Sequence, residues 1–317
     1  MKAKSPDKDI TLIQLFDRFS TDDKARKHLE TVLWKNGQIC PHCNNHKDKP
    51  IYALEAKSDS ESAVRAGVYK CGACLKQFTV TVGTIFESSH IPLRKWLIAW
   101  YLLCSSKKGI SSLQLQRILE IGSYRTALFM THRIRHALKE INPPKLSGII
   151  EADDHSIGGQ YPNSKGGKMT NKQRVVFLVQ RGGNVRSCPV NIVHGGNIKQ
   201  VIRDNVEICS EVHTDTYLPY KGLEPKYTHK TVLHAKGEYT RREGDKMIGT
   251  PHVESHISLL KRGLVGTFHH VSMKHSPLYL AEFDFRYNWR KASDGIRTDA
   301  GLTKAIGKRL MLHPAKP

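Results

Sequence analysis

The sequence has no long hydrophobic run and no apolar stretch near its start. Its longest apolar run, Trp96–Cys104, spans nine residues between basic pairs, whereas a membrane-spanning helix needs about 20. The first ten residues, MKAKSPDKDI, carry charge without an apolar run behind them, which argues against a secretory signal. We therefore expect no membrane partner and a cytoplasmic location.

Acidic residues are also few in comparison with basic residues. The chain has 29 Asp plus Glu against 50 Lys plus Arg, a formal net charge of +21. This excess favours a polyanionic partner, with nucleic acid as the leading candidate, although a ribosomal protein or a membrane-surface binder would also be basic. With 317 residues, of which 39% are hydrophobic, the chain is long enough for two or three domains with real cores.

Cysteine is also sparse, and its seven copies are an odd number. Four of them form two C-x-x-C pairs, Cys40 with Cys43 and Cys71 with Cys74. Two such pairs present four thiolates to one tetrahedral Zn²⁺, which favours a structural zinc in a reducing compartment over disulfides. A redox C-x-x-C is the alternative reading, but neither pair is flanked by a thioredoxin-like strand and helix. His42 and His46 are alternative ligands.

Hydrophobic periodicity and turn residues divide the chain into five segments. We predict a helical lead-in (1–36), a zinc ribbon (37–88), a helical DNA-binding region (89–142), a catalytic domain (147–295) and a C-terminal tail (296–317). Within the ribbon, strands are expected at Ile51–Leu54 and Val68–Lys70, and Phe78–Thr84 alternates like a strand.

The helical region resembles a helix-turn-helix. Pro92 opens a helix over Leu93–Cys104, Ser111 is a candidate N-cap, and a second, basic helix covers Tyr124–Lys139. Its residues Arg125, Arg133 and Arg135 would read DNA in the major groove. A helical hairpin with a solvated basic face is the alternative.

Three acids fall on separate elements of the C-terminal half. Asp153 follows the apolar start of a strand at Ile149, Asp215 ends the strand Glu211–Asp215, and Glu254 lies on a predicted helix, His252–Arg262. Lys261 shares the Glu254 face because seven residues make almost two helical turns. Strand, hairpin, helix, strand and helix in this order predict an RNase H-like core, an α+β or α/β fold with a mixed sheet. The three carboxylates could hold two Mg²⁺ for phosphoryl transfer, with Lys261 on a phosphate. Three unrelated surface acids are the alternative.

These motifs resemble those of a known family. Asp153 with Ile157-Gly158-Gly159, Asp215 with Tyr220-Lys221-Gly222, and Glu254 with Leu259-Leu260-Lys261 are similar to DDE transposases of bacterial insertion sequences that carry a zinc ribbon. The acid spacing agrees, since 254 − 215 is 39. Further signatures are Gly266–Ser272, Glu282–Asn288 and, in the N-terminal half, the ribbon with Leu93–Trp96, so the likeness covers nearly the whole chain.

The resemblance implies a transposase that binds terminal inverted repeats, cuts the strand and joins the freed 3′ hydroxyl to target DNA. Asp153, Asp215 and Glu254 would hold Mg²⁺ or Mn²⁺, and the protein would act as a homodimer or higher oligomer on double-stranded DNA, at the nucleoid. The chain departs from the family at Pro251, where Asn is usual, at Ile257, where Trp is usual, and at His155-Ser156. Some relatives use that Asn as a ligand, which leaves Glu254 as the third one here. The alternatives are a DNA-binding regulator, an inactive remnant, and an RNase H-like nuclease without strand transfer.

Overall fold

A computed structural model describes residues 10–45, 48–54, 65–160, 170–190 and 195–311. It divides the chain into two compact units. Unit 1 comprises residues 1–106, 110–138 and 292–317, and unit 2 comprises residues 107–109 and 139–291. Among the described residues, no helix combines the length and the apolar character that a membrane crossing requires.

Unit 1 contains six helices and a small sheet within its described residues. The helices are α1 (Leu12–Arg18), α2 (Asp22–Leu33), α3 (Leu93–Ser105), α4 (Ser112–Ile118), α5 (Tyr124–Leu138) and α9 (Asp294–Thr303). The sheet consists of β1 (Ile51–Leu54), β2 (Val68–Cys71) and β3 (Gln77–Phe78), paired antiparallel in that order. The predicted helical lead-in, ribbon strands and helix pair are therefore present.

The apolar run of the sequence is the buried helix α3. Trp96 and Trp100 are almost fully buried, and α3 packs against α2, α5 and α9. Arg297 of α9 donates a hydrogen bond to the Cys104 carbonyl at 3.1 Å. The described part of the segment that we expected to form a separate tail, residues 296–311, belongs to unit 1.

The predicted strand over Phe78–Thr84 is wrong, because β3 ends at Phe78 and turns follow. Threonine side chains compete with strand pairing there. The Thr84 hydroxyl donates to the Thr81 carbonyl at 2.6 Å, and the Thr79 and Thr81 hydroxyls lie 2.8 Å apart. Such local bonds offer the backbone an alternative to a sheet ladder.

Unit 2 is built on a mixed five-stranded sheet. Its strands are β4 (Ile149–Gln160), β5 (Thr170–Gln180), β6 (Val185–Val190), β7 (Glu211–Asp215) and β8 (Thr228–Val232), in the order β6-β5-β4-β7-β8. β4, β5 and β6 pair antiparallel, whereas β4, β7 and β8 pair parallel. A hairpin of β9 (Thr240–Glu243) and β10 (Lys246–Gly249) follows.

Helices cover both faces of this sheet. They are α6 (Gly195–Asn205), α7 (Pro251–Gly263) and α8 (Ser276–Asn288). Ile150 and Ala152 pack with α6 on one face, whereas Val175 and Phe177 pack with α7 and α8 on the other. The strands carry apolar residues toward both faces, as buried strands do. The predicted fold class is confirmed: a zinc-ribbon region and a mixed-sheet, RNase H-like core.

The candidate metal centres and their supporting network

The four paired cysteines converge in unit 1. Their sulfur atoms all lie within 4.8 Å of one another. The Sγ atoms of Cys40 and Cys74 are 3.7 Å apart, as are those of Cys43 and Cys71. Two sulfurs that each bind a tetrahedral zinc at about 2.3 Å lie about 3.8 Å apart. The arrangement therefore fits one Zn²⁺ without rearrangement.

The ribbon also favours the thiolate form of a ligand. Backbone N–H groups of Cys74 and Ala73, together with the thiols of Cys43 and Cys40, lower the pKa of the Cys71 thiol to about 6, whereas burial and the neighbouring thiols raise the pKa of Cys43 to about 12. His42 lies with its Nε2 atom 3.3 Å from the Gln77 carbonyl oxygen, and the four-cysteine cluster does not include it. His46 lies outside the described residues.

In unit 2, Asp153 and Asp215 lie on the adjacent parallel strands β4 and β7. Ile149 pairs with Glu211 and Glu151 pairs with His213. Asp153 and Asp215 each lie two residues beyond this paired segment, on their own strands. Asp153 accepts a hydrogen bond from the backbone N–H of Asp154 at 2.8 Å, and Asp215 accepts one from that of Tyr217 at 3.0 Å.

Glu254 approaches these acids from the first turn of α7. One of its carboxylate oxygens accepts a hydrogen bond from the Thr250 hydroxyl at 2.7 Å and lies 3.4 Å from Nε2 of His234. Burial raises the pKa of Asp153 to about 6, and the negative charges of Asp215, Asp154 and Glu254 contribute to the rise. The backbone hydrogen bond from Asp154 opposes it. The charges of Asp215 and Glu254 thus both act on Asp153.

The three carboxylates are less tightly gathered than the cysteines. Among the residues that the structure describes, the four cysteines are the group of possible ligands found within 4.8 Å of one another. A two-metal site does not require that distance between all its acids. Ligands on opposite ions, each about 2.1 Å from its ion with ions about 3.5–4 Å apart, can be separated by about 8 Å.

A buried carboxylate, Glu151, fixes the helix that carries Glu254. One oxygen of Glu151 accepts hydrogen bonds from the backbone N–H groups of His252 at 2.6 Å and Val253 at 3.0 Å. The helix has no capping side chain of its own. Glu151 therefore satisfies N–H groups that the helix start leaves open, and its negative charge complements the helix dipole.

Arg181 joins Glu151 to the neighbouring strand. Its Nε donates to the other Glu151 oxygen at 2.7 Å, and its guanidinium also contacts Nδ1 of His213 at 3.2 Å. Further donations go to the carbonyls of Met247 and Gly249. Nε2 of buried His213 lies 2.8 Å from Glu211. The strands of Asp153 and Asp215 and the start of α7 share this polar network.

Lys261 lies two turns along α7 from Glu254, beside a cavity of about 200 Å³ that His155 also lines. Burial lowers the pKa of His155, and the positive charges of Lys261, Arg174 and Lys172 lower it further. Lys261 itself is exposed.

Residues 145–288 match the ISXO2-like transposase domain family, and residues 20–77 match the transposase zinc-ribbon domain family. The chain belongs to the DDE-type transposases with an N-terminal zinc ribbon. The transposase is 27% identical over 292 residues to an uncharacterized protein in transposable element ISH50 of Halobacterium salinarum, covering 84% of this chain and 91% of that protein. The zinc-ribbon match contains the four-cysteine cluster of unit 1. The transposase-domain match contains Asp153, Asp215 and Glu254 of unit 2.

One solved structure also aligns with the transposase. It is the cryo-EM structure of a simian T-cell lymphotropic virus intasome in complex with PP2A regulatory subunit B56 gamma, with a TM-score of 0.30 and 15% identity. The alignment covers 54% of this chain and 63% of the length of that chain.

Two departures from the family pattern are accommodated by the transposase fold. Pro251 is the first residue of α7, a position where proline is favourable because its N–H would be unpaired anyway. Ile257 is 4% exposed and packs in the core between α7 and the sheet.

The predicted DNA-reading arginines separate into one exposed and two buried residues. Arg125, near the start of α5, is exposed. Arg133 is 7% exposed, donates to the Glu87 carbonyl at 2.9 Å and lies over the Trp96 ring. Arg135 is fully buried and donates to the Thr131 hydroxyl at 3.1 Å. The prediction of base contacts by Arg133 and Arg135 is corrected, because both side chains are part of the core of unit 1.

Sequence reasoning missed the residues that support the acids. Glu151 lies two residues before Asp153 on β4, but no local pattern gives it a role, and helical spacing alone did not reveal Thr250 or His234 beside Glu254. Arg181 is the first residue after β5. Its partners are distant in sequence, so no local pattern could have found it.

Proposed function

We propose that this transposase binds the terminal inverted repeats of its insertion sequence and catalyses metal-dependent DNA cleavage and strand transfer. Asp153, Asp215 and Glu254 hold two Mg²⁺ or Mn²⁺ ions in this proposal, and Lys261 contacts a phosphate. The observation that supports it is that Asp153 and Asp215 each follow the paired segment of two adjacent parallel strands by two residues, and that the charges of Asp215 and Glu254 act on Asp153.

The donor set suits hard divalent cations. Mg²⁺ prefers carboxylate oxygens and keeps several waters, so one or two protein carboxylates per ion are sufficient. Two bound ions would activate the attacking oxygen and stabilise the leaving oxygen of phosphoryl transfer. Asp153 must release its proton to bind, and its pKa near 6 means that it is largely ionised at neutral pH.

The residues around the acids orient them. Asp215 is held by the Tyr217 N–H, and Glu254 is held by Thr250 beside His234. Glu151 and Arg181 fix α7 against the sheet. Ligands that are held before the metal arrives lose less conformational entropy on binding, which is how a rigid site gains affinity.

Unit 1 supplies the DNA-binding surface. α4 and α5 form the helix pair, with the Ser111 hydroxyl capping α4 at 3.1 Å from the Gln114 N–H. The start of α5, with Tyr124, Arg125 and Thr126, is exposed. Residues at the start of a recognition helix contact base edges, so Arg125 is the candidate base reader. We propose a homodimer or higher oligomer as the form that joins two ends.

A strand-transfer assay tests this function. The purified chain is mixed with a labelled duplex of the element's terminal repeat, a supercoiled target plasmid and Mg²⁺. We expect cleavage at the repeat and labelled plasmid product. Cleavage without joined product would favour a nuclease, whereas binding without cleavage would favour a regulator or an inactive remnant.

A further inference from the structure

Unit 2 contains a cavity of about 200 Å³ that the catalytic proposal does not use. Its walls come from the far part of β4 and from the last turn of α7 with the segment after it. The volume is below the roughly 300–1,000 Å³ of pockets for drug-sized ligands. It has room for one small group.

The lining combines apolar walls with nitrogen-bearing side chains. The apolar residues are Ile157, Leu260, Leu264, Val265 and Val271. The nitrogen-bearing side chains are those of His155, Lys261, His269 and His270. A free phosphate would use the nitrogen atoms but not the apolar walls. A nucleobase has flat apolar faces, polar edges and an attached phosphate, so it matches both parts of the lining.

The backbone beside the cavity is irregular. Leu264–Phe268 forms a π-helical turn that continues from α7, and π-helical turns frequently occur at functional sites. His269 follows with φ 58° and ψ −47°, and the N–H of His270 donates to the Phe268 carbonyl at 2.6 Å. This is a γ-turn of the rare, strained form. Backbone strain at a non-glycine residue is unfavourable and tends to persist at ligand-binding sites.

The cavity lies within a few nucleotides of the candidate metal ligands. Asp153 and His155 occupy the same face of β4 because side chains alternate along a strand. Glu254 and Lys261 are separated by two turns of α7, about 10 Å at 1.5 Å per residue. That distance is about three steps of duplex DNA at 3.4 Å each.

We propose that this cavity receives a single nucleobase turned out of the DNA near the cleavage position. The inference rests on the proposed function and extends it to how the end is held. Turning out a base costs stacking and pairing energy, which a pocket with apolar walls and polar partners offsets. Capturing one base would fix the register of the strand relative to Asp153, Asp215 and Glu254.

Base capture can be measured without cleavage. Terminal-repeat duplexes carry 2-aminopurine at one position at a time across the cleavage site, and Ca²⁺ replaces Mg²⁺ so that the DNA stays intact. We expect one position to brighten severalfold when the protein binds, because 2-aminopurine fluoresces more strongly when it is unstacked. The brightening must persist in Asp153→Asn, which retains the cavity.

Val265→Trp tests the cavity directly. Val265 lines it and is 74% exposed, so a larger side chain can block the opening without disturbing the core. Ile208→Trp is the matched control, since Ile208 is 65% exposed in unit 2 and does not line the cavity. We expect Val265→Trp to abolish the brightening while Ile208→Trp keeps it, with DNA binding by gel shift intact in both.

His270→Ala supplies a second variant, expected to reduce the brightening by removing an exposed ring from the lining. A complex that forms but brightens at no position overturns the inference, as does brightening that Val265→Trp leaves unchanged. Cleavage in Mg²⁺ without brightening would refute base capture and leave the catalytic proposal standing. Brightening without cleavage would refute the catalytic proposal and leave base capture standing.

Discussion

The carboxylate of Glu151 accepts a hydrogen bond from the backbone N–H of Val253 at 3.0 Å. Glu151 lies two residues before Asp153 on β4, and Val253 precedes Glu254 on α7. One buried contact therefore ties the neighbours of two candidate metal ligands together. Distortion of this contact would change the relative position of strand and helix, and with it the geometry of the site.

Glu151→Ala should lower the free energy of unfolding by about 3–5 kcal/mol, because it leaves the Arg181 guanidinium without its buried partner and removes the cap of α7. Glu151→Gln should cost less, since the amide oxygen still accepts a hydrogen bond. Urea denaturation followed by circular dichroism measures both.

Glu243→Ala is the control for that comparison. Glu243 forms ion pairs with Lys230 and Arg241 at the surface, where water and salt screen the attraction, so its loss should change the stability little. Equal losses for Glu151→Ala and Glu243→Ala would contradict the role of Glu151 as a buried anchor.

Asp153→Asn should stabilise the metal-free protein at neutral pH. The pKa of Asp153 is raised to about 6 by burial and by neighbouring carboxylates, so the folded state binds its proton more tightly than the unfolded state does. Stability from this group is present at low pH, falls as the pH rises from about 4 to 6, and stays low above that. At about 1.4 kcal/mol per pKa unit, Asp153→Asn should raise the free energy of unfolding above pH 6 by an amount on the order of 3 kcal/mol. This gain should vanish near pH 4.

Mg²⁺ should reverse this difference, because the metal binds the ionised carboxylate of the wild-type protein. Thermal melting at several pH values, with EDTA or Mg²⁺, is the measurement. A variant that melts at the wild-type temperature across the whole pH range would contradict the buried, acid-crowded position of Asp153.

The ribbon should retain one zinc per chain when purified without chelator, and Cys71→Ser should lose it together with the fold of the ribbon, because structural zinc supplies folding free energy. Cys209→Ser is the control, since Cys209 is exposed and outside the cluster. Metal analysis measures the zinc content, and limited proteolysis reports whether the ribbon is folded. A Cys71→Ser protein with full zinc would refute the four-cysteine site.

Arg125→Ala should weaken binding to the terminal repeat by about 1–3 kcal/mol relative to random DNA, without changing the melting temperature. Arg135→Ala should instead lower the melting temperature, because Arg135 is buried in unit 1. Gel shifts with both duplexes, paired with melting curves, separate these outcomes. Unchanged sequence preference in Arg125→Ala would remove it as a base reader.

Local sequence pattern was sufficient to predict features that depend on a single short segment of the chain. The α3 helix, the two cysteine pairs and the strand that ends at Asp215 follow from spacing and hydrophobicity within short windows. Strand β8 and the β9–β10 hairpin were missed, because a polar stretch such as Thr228–Val232 has little apolar alternation and pairs only with a distant strand. The sheet order depends on that pairing.

The orientation of side chains was less predictable than the elements that carry them. Basic content placed Arg125, Arg133 and Arg135 on one DNA-reading helix, but the C-terminal half of α5 is buried on nearly all sides, so that Arg133 lies over Trp96 and Arg135 donates to Thr131 inside unit 1. Likewise, Glu151 and Asp153 share a strand face, yet only the contact with Arg181 and α7 gives Glu151 its role. The role of such a side chain depends on contacts with residues that are distant in sequence.

The central claim is that Asp153, Asp215 and Glu254 form one metal-dependent catalytic site. Its most direct test is Mg²⁺-dependent cleavage of a labelled terminal-repeat duplex by Asp153→Asn, Asp215→Asn and Glu254→Gln, with DNA binding checked by gel shift. Asp154→Asn is the matched control, since Asp154 neighbours Asp153 but contacts Tyr220 and Arg174 instead. We predict that each of the three variants binds the repeat and fails to cut it while Asp154→Asn cuts; normal cleavage by Glu254→Gln would contradict the account.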